Sequence, residues 1–440
     1  MPIGWRGTII KADTTTRQNP AQATTQTALR FCMITTFYPP YNFGGDGIFV
    51  QRLVHALAAQ GHHVTVIHCV DAYHMAADHE PHLVREDNPN IEVHALQSGV
   101  GILSPLITHQ FAIPGLKGAS IRRILQQGNF DVVHYHNVSL VGGASVLGFD
   151  TGSSDAVKLY TAHEYWLVCP LSTLWKHGES PCKEKSCTGC TLRAGKPPQW
   201  WRYTGLLKRQ LSHLDALLAP SQFAIDKHRE MGLDNAFIHL PNFLPLANNE
   251  EHVEPSVAIE SLTRPYFLLV GRLEKSKGFQ DAIALFKRFT EADLAIVGTG
   301  PYEQELQAMA EGCDNIHFFG KRQYRELTAW YRGAVAVIVP SIWYEPFGLI
   351  VIEAYAQKTP VIVNRAGALP ELVQASGGGM VYDDQAGLRE AAQALLSSPD
   401  SRCELGERGH QAYLETWTEE QHLAQYFHII DEARARRQRD

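Results

Sequence analysis

The stretch that decides the fold is Ala334-Val335-Ala336-Val337-Ile338-Val339-Pro340-Ser341, followed after three residues by Glu345-Pro346-Phe347-Gly348-Leu349-Ile350-Val351-Ile352-Glu353. The unbroken apolar run ending at Val339 reads as a strand over Val335–Val339 buried on both faces, which is how strands of a parallel sheet read. A loop follows, and the apolar segment after Gly348 opens a helix. Gly348 then falls in the first helical turn, where free backbone amides point at an anion. Glu345 sits in the loop, able to accept from ligand hydroxyls. Glu353 lies about two turns into the helix, where its two oxygens suit a vicinal diol. Either carboxylate alone reads as a surface or capping group. Bracketing a Phe-Gly at a helix start, the two together point to a binding site.

The alternation extends in both directions. Strands are expected at Tyr266–Val270, Leu294–Val297, Ile316–Phe319 and Val361–Asn364, with a helix between each pair. Upstream, Phe31–Phe37, His63–Val70, Asp131–His136, Lys158–Ala162 and Ala216–Pro220 read as strands, with a helix at Ile48–Ala59. Strand–helix alternation of this kind implies α/β architecture with parallel sheets. The chain divides into a Thr- and Gln-rich mobile tail (1–28), an N-terminal Rossmann-like domain (29–246), an acidic linker with Pro255 (247–260), a C-terminal Rossmann-like domain (261–414), and a final helix (415–440) packing back across the boundary.

The composition narrows the function classes. The chain has 440 residues, 45% hydrophobic and 19% charged, as in a folded globular enzyme of two or three domains. Its net charge of −7 leaves no general nucleic-acid footprint. The longest apolar run is far below the ~20 residues that span a bilayer, and the N-terminus lacks the apolar core of a signal peptide. The expected location is the cytoplasm.

In open parallel sheets, ligands bind beyond the carboxyl ends of the strands, so loops after strands carry the chemistry. Phe43-Gly44-Gly45-Asp46-Gly47 lies between the first strand and helix; it is either a tight turn or a backbone anion site, and its spacing is not that of a dinucleotide fingerprint. Gly271-Arg272-Leu273-Glu274-Lys275-Ser276-Lys277-Gly278 follows the first strand of the second domain. Arg272 offers a planar fork and Lys277 a point charge, a pair that can neutralise a diphosphate, although a solvated loop has the same composition. His134 and His136 share one strand face, either as a metal pair with no third ligand nearby in sequence or as a polar strand end lining a cleft.

Taken together, Gly271–Gly278, Val297-Gly298-Thr299-Gly300 and the E-x7-E segment Glu345–Glu353 resemble family 4 of the retaining GT-B glycosyltransferases. Tyr38-Pro39-Pro40 with Gly44-Gly45, and Thr161-Ala162-His163-Glu164, resemble it too, in the right order over roughly residues 30–437. The resemblance implies a GT-B fold, two Rossmann-like domains facing each other across a cleft, with the nucleotide-diphosphate sugar donor on the C-terminal domain and the acceptor on the N-terminal one. It assigns Arg272 and Lys277 to the diphosphate, Glu345 to the transferred sugar and Glu353 to the ribose. Amides around Gly348 and Leu349 hold the sugar diphosphate with Gly45 closing on it from the other domain, and Gly44 and Phe347 are further donor-binding residues. Gly298 and Gly320 border the nucleotide, with the base near Gly320–Arg322, and His163 matches the cleft histidine beside the anomeric carbon.

Two cations can stabilise a departing diphosphate without a metal, and the chain has no D-x-D triplet of the kind that holds a metal-bound nucleotide. No cofactor is expected for catalysis. Cys169, Cys182, Cys187 and Cys190, spaced C-x12-C-x4-C-x2-C, read either as ligands of one structural zinc or as partly buried thiols. Directly after them, Thr191–His213 carries Arg193, Lys196, Arg202, Lys208 and Arg209 with no acidic residue, interleaved with Trp200, Trp201 and Tyr203. That pattern suits peripheral contact with the inner face of a membrane, or a helix burying its tryptophans. The expected activity is retaining transfer of a sugar to a glycan or lipid-linked acceptor in bacterial surface-polysaccharide or cell-envelope assembly. The alternatives are a GT-B nucleotide-sugar epimerase and a non-catalytic nucleotide-sugar-binding protein.

Overall fold

The computed structural model describes residues 28–439 apart from 78–79, 83–85, 247–258 and 260. The N-terminal tail and most of the linker expected from the sequence lie outside the described residues. Two parallel sheets dominate. The first runs β3-β2-β1-β4-β5-β8-β9, with β1 Arg30–Ile34, β2 His63–Cys69, β3 Ile91–Leu96, β4 Val132–Tyr135, β5 Val157–Thr161, β8 Ala216–Ala219 and β9 Phe237–His239. The second runs β12-β11-β10-β13-β14-β15, with β10 Tyr266–Val270, β11 Asp293–Val297, β12 Ile316–Phe318, β13 Val337–Val339, β14 Val361–Asn364 and β15 Gly379–Tyr382. A short antiparallel hairpin, β6 Trp175–Lys176 with β7 Ser180–Pro181, lies within the cysteine-bearing insertion.

Each sheet is buried on both faces by helices, so its central strands are continuous apolar runs. Phe267, Leu268 and Leu269 of β10 are fully buried, as are Cys32, Met33 and Ile34 of β1. The strand order reverses direction between β1 and β4 and again between β10 and β13. These are the topological switch points where a doubly wound sheet opens a crevice. The loops singled out in the sequence leave from β1, β10 and β13, at these two points.

The helix Glu419–Arg437 belongs structurally to the first domain. Leu423, Tyr426, Ile429, Ile430 and Ala433 join the core formed by Phe31, Leu53, Val54 and Val64. Arg437 Nε donates to Asp215 at 2.6 Å, tying the helix end beside β8. Among the described residues, no helix is long and apolar enough to cross a membrane.

Candidate active site

The residues after β1 and β13 meet across the interdomain crevice. The helix Gly45–Ala59 starts at Gly44, and the helix Leu349–Ala356 starts at Gly348; neither N-terminus is capped by a side chain. A Cβ on Gly45 would stand 3.0 Å from Leu349 Cδ1, so glycine there permits the close approach of the two helix starts. Two helix dipoles thus point towards one region, an arrangement that attracts a negative charge, with the Asp46 carboxyl accepting from the Asp46 and Gly47 amides in the opening turn of the first helix.

Two cations border it. Arg272 lies 5.9 Å above the Phe43 ring of the opposite domain and pairs with Glu274 at 3.1 Å. It is half exposed, so its guanidinium remains accessible to a ligand. Lys277 donates to Glu345 Oε1 at 2.6 Å and rests 5.0 Å from the Trp343 ring. Glu345 also accepts from Ser341 Oγ at 2.7 Å, while its carbonyl receives the Ala368 amide. Gly278 makes this loop possible: its φ is +72°, and a Cβ would lie 1.9 Å from the Pro340 carbonyl. The structure therefore brings Arg272, Lys277, Glu345, Gly348, Leu349, Gly44 and Gly45 to one crevice. Gly298 donates its amide to the Gly320 carbonyl at 2.9 Å, linking the ends of β11 and β12.

Two expected site residues are placed differently from the simplest reading. Phe347 is buried in the apolar core of the C-terminal domain with Leu369 and Leu372, so only its backbone borders the crevice. Glu353 accepts from Arg52 of the opposite domain at 3.2 Å and from the Tyr331 hydroxyl at 2.9 Å. Its oxygens bridge the domains here, and a diol bound at Glu353 would share them with these two donors.

His163, at the end of β5, lies on the other wall. Its Nε2 is 3.0 Å from His136 Nδ1, and its ring packs 5.0 Å from Phe49. His134 bonds to Thr161 at 2.8 Å and to the Tyr426 hydroxyl at 3.0 Å. His134 is thus satisfied at both ring nitrogens by protein partners, whereas His136 is bonded through Nδ1 to His163 and its buried Nε2 has no protein partner. Burial, followed by the neighbouring His422, drives His163 down to about 3, so it is a neutral imidazole. Burial acts likewise on His134 and His136.

The sequence reading left a carboxyl pair unassigned. Asp46, in the first turn after Gly45, accepts from Asn137 Nδ2 at 3.3 Å. Burial raises Asp46, and burial with the nearby Asp46 charge pushes Glu164 up to about 8. Glu164 keeps one buried oxygen without a protein partner. Both residues stand inside quoted motifs. Their positions next to Gly45 and His163 were visible, whereas their mutual proximity required the fold.

The four insertion cysteines line one small cavity together with Val168, Leu171 and Leu174. Cys169 sulfur accepts from the amides of Leu171 and Leu174, and Cys190 sulfur from the amide of His177 at 3.3 Å. Burial first, then the other three thiols, push Cys182 up. Among the described residues, however, no three His, Cys, Asp or Glu side chains are grouped so as to hold a metal ion.

A two-domain α/β fold with helix starts and two cations facing one crevice at the switch points suits a phosphorylated ligand. Comparison with known proteins agrees. Residues 254–412 match the model for Glycosyl transferases group 1, and residues 43–246 match that for Glycosyltransferase Family 4. Glycogen synthase of Mycobacterium tuberculosis is 27% identical over 84% of this chain and 87% of its own length. A D-inositol 3-phosphate glycosyltransferase of Pseudarthrobacter chlorophenolicus is 26% identical over 82% and 84%. Sucrose-phosphate synthase of Thermosynechococcus elongatus superposes with a TM-score of 0.72 at 21% identity, over 92% of this chain and 99% of that one. The chain belongs to family 4 of the GT-B glycosyltransferases and is a glycosyltransferase that uses a nucleotide sugar.

Proposed function

We propose that the protein transfers a sugar from a nucleoside-diphosphate sugar to a glycan or lipid-linked acceptor, with retention of configuration and without a catalytic metal. The observation that carries this reading is the convergence of two uncapped helix starts, Arg272 and Lys277 on one crevice. A departing diphosphate gains charge in the transition state, and fixed cations and amide dipoles stabilise that charge. Glu345, held by Lys277 and Ser341, reads hydroxyls of the sugar, and Glu353 reads the ribose. In the transfer step, the bond from the anomeric carbon to the phosphate oxygen breaks as the acceptor oxygen bonds to the same face. The acceptor proton passes to the departing phosphate oxygen, and a nucleoside diphosphate leaves. Neutral His163 positions groups beside the anomeric carbon by hydrogen bonding. The setting proposed is bacterial surface-polysaccharide or cell-envelope assembly, on the strength of the resemblance.

Incubation with a donor panel and candidate acceptors, followed by proton NMR of the first-formed glycoside, tests this. Retained configuration, unchanged by EDTA present in the assay, is expected. Inversion, or an epimerised sugar emerging without acceptor, would replace the reading. The proposal also includes one structural zinc among Cys169, Cys182, Cys187 and Cys190, supported by their shared cavity and by the amides aimed at two of the sulfurs. The sulfurs would have to close on the ion, and metal binding would then contribute to local folding.

A further inference from the structure

The helix Leu103–Phe111, just beyond the carboxyl end of β3, is built inside out. Its buried positions are Ser104, Pro105 and Thr108, and Ser104 Oγ accepts from the buried Lys117 ammonium at 2.6 Å. Its large apolar side chains Leu103, Leu106, Ile107 and Phe111 are all exposed. In water, a surface helix turns its apolar stripe inward, so the arrangement favours an apolar environment on the outside. Val100, Ile102, Ile113 and Leu116 extend the exposed face on both sides.

The basic aromatic segment packs against this helix. Gln110 Nε2 donates to the Pro198 carbonyl at 2.7 Å, and Trp201 Nε1 to the His109 carbonyl at 3.4 Å. Trp201 is buried as the anchor, while Trp200 and Tyr203 pair with each other and remain 63% and 64% exposed. Among the described residues, the only large exposed hydrophobics outside 100–116 and 192–203 are Leu246, Met309 and Leu414. An apolar face concentrated in this way marks an interaction surface.

Charge selects the occupant. The chain carries a net −7, yet no Asp or Glu occurs between Glu92 and Asp131 or between Glu184 and Asp215. Exposed Arg123, Lys196, Lys208 and Arg209 lie in these same stretches. We propose that this face docks the protein onto an anionic lipid bilayer, with Leu106, Phe111, Leu116, Trp200 and Tyr203 entering the headgroup region and the bases meeting lipid phosphates. Ser98, leading into the helix, bonds to Asp71 just after β2, so the face lies on the same sheet edge that carries His163. Docking would bring a lipid-linked acceptor to the crevice from the membrane side.

Flotation with phosphatidylcholine vesicles, with and without phosphatidylglycerol, tests docking without donor or acceptor, so its outcome is separate from that of the transferase reading. The wild-type chain should float with phosphatidylglycerol vesicles and much less with phosphatidylcholine alone. Leu106→Glu with Phe111→Glu should cut bound protein by about tenfold, and Lys196→Glu with Arg209→Glu should remove the preference for anionic lipid. All these side chains are exposed; an unchanged melting temperature and donor affinity would show that the variants remain folded. Failure of the wild type to float, or equal flotation of the Leu106/Phe111 variant, would overturn the proposal. A concentration-dependent dimer abolished by Leu106→Glu and Phe111→Glu, without vesicle binding, would assign the face to a second copy instead.

Discussion

The two sheets present their carboxyl edges to one crevice, but with different kinds of chemistry. On the C-terminal side, the loops after β10 and β13 carry Arg272, Lys277, Glu345 and Gly348 at helix starts, each beside a strand end. On the N-terminal side, the edge presents three neutral histidines, the buried-carboxyl pair Asp46 and Glu164, a cysteine-lined insertion and an inside-out helix. A diphosphate is the same group in every nucleoside-diphosphate sugar, so a side proposed to hold it needs fixed cations and amides at fixed spacings. In the proposed function, the opposite side meets the variable partner. Relatives named for glycogen and for inositol phosphate lie at nearly equal identity, 27% and 26%, and so do not choose between acceptors.

The comparison is broken most sharply at the cations. Lys277→Ala and Arg272→Ala should each lower turnover by at least ~10²-fold, since each removes stabilisation from the leaving diphosphate. Steady-state turnover near wild type in either variant would detach the C-terminal loops from the chemistry. The two carboxylates come next. Glu353→Gln should weaken the free nucleoside diphosphate by about tenfold, whereas Glu345→Gln should spare it and weaken the intact donor. Calorimetry with both ligands checks this, and equal defects in both variants would collapse the distinction.

Protons sharpen the contrast on the N-terminal side. Burial lowers His163 to about 3 and His68, His109, His228 and His422 to about 4. Groups whose folded values lie below the unfolded one stabilise the fold fully above pH ~6.5 and lose that stabilisation as pH falls towards 4. Glu164, raised to about 8, acts in the opposite sense: its contribution is present at low pH and is lost as pH rises through 8. The melting temperature should therefore fall progressively below pH ~6.5, and His422→Phe should flatten that slope. A flat profile down to pH 5 would contradict buried neutral histidines. The smallest expected effect is at the cysteines: purified protein should carry about one zinc per chain, and Cys187→Ser with Cys190→Ser should release it and expose the insertion to protease. Metal-free protein with four titratable thiols would leave only the cavity.

Strand cores were legible because continuous apolar runs have few other uses; Tyr266–Val270 and Val361–Asn364 match the expected limits to the residue. The edge strands β3, β9 and β15 were not identified. Ile91–Leu96 interleaves Glu92 and His94, and Phe237–His239 is only three residues long. Neighbours far apart in sequence were also hidden: Arg52 meets Glu353 across 301 positions, and no local pattern encodes that pair. Phe347 shows the limit of motif reading, since a residue inside the most informative loop packs into the core. Helix Leu103–Phe111 needed the structure because an apolar stripe reads the same whether it faces inward or outward.

The most direct test of the central claim is titration calorimetry of nucleoside diphosphates into the wild-type chain and into Arg272→Ala and Lys277→Ala. The account predicts saturable binding of at least one nucleoside diphosphate to the wild type, weakened by about tenfold or more in both variants. Failure of every nucleoside diphosphate and its sugar to bind the wild type, or equal affinity in all three proteins, would contradict it.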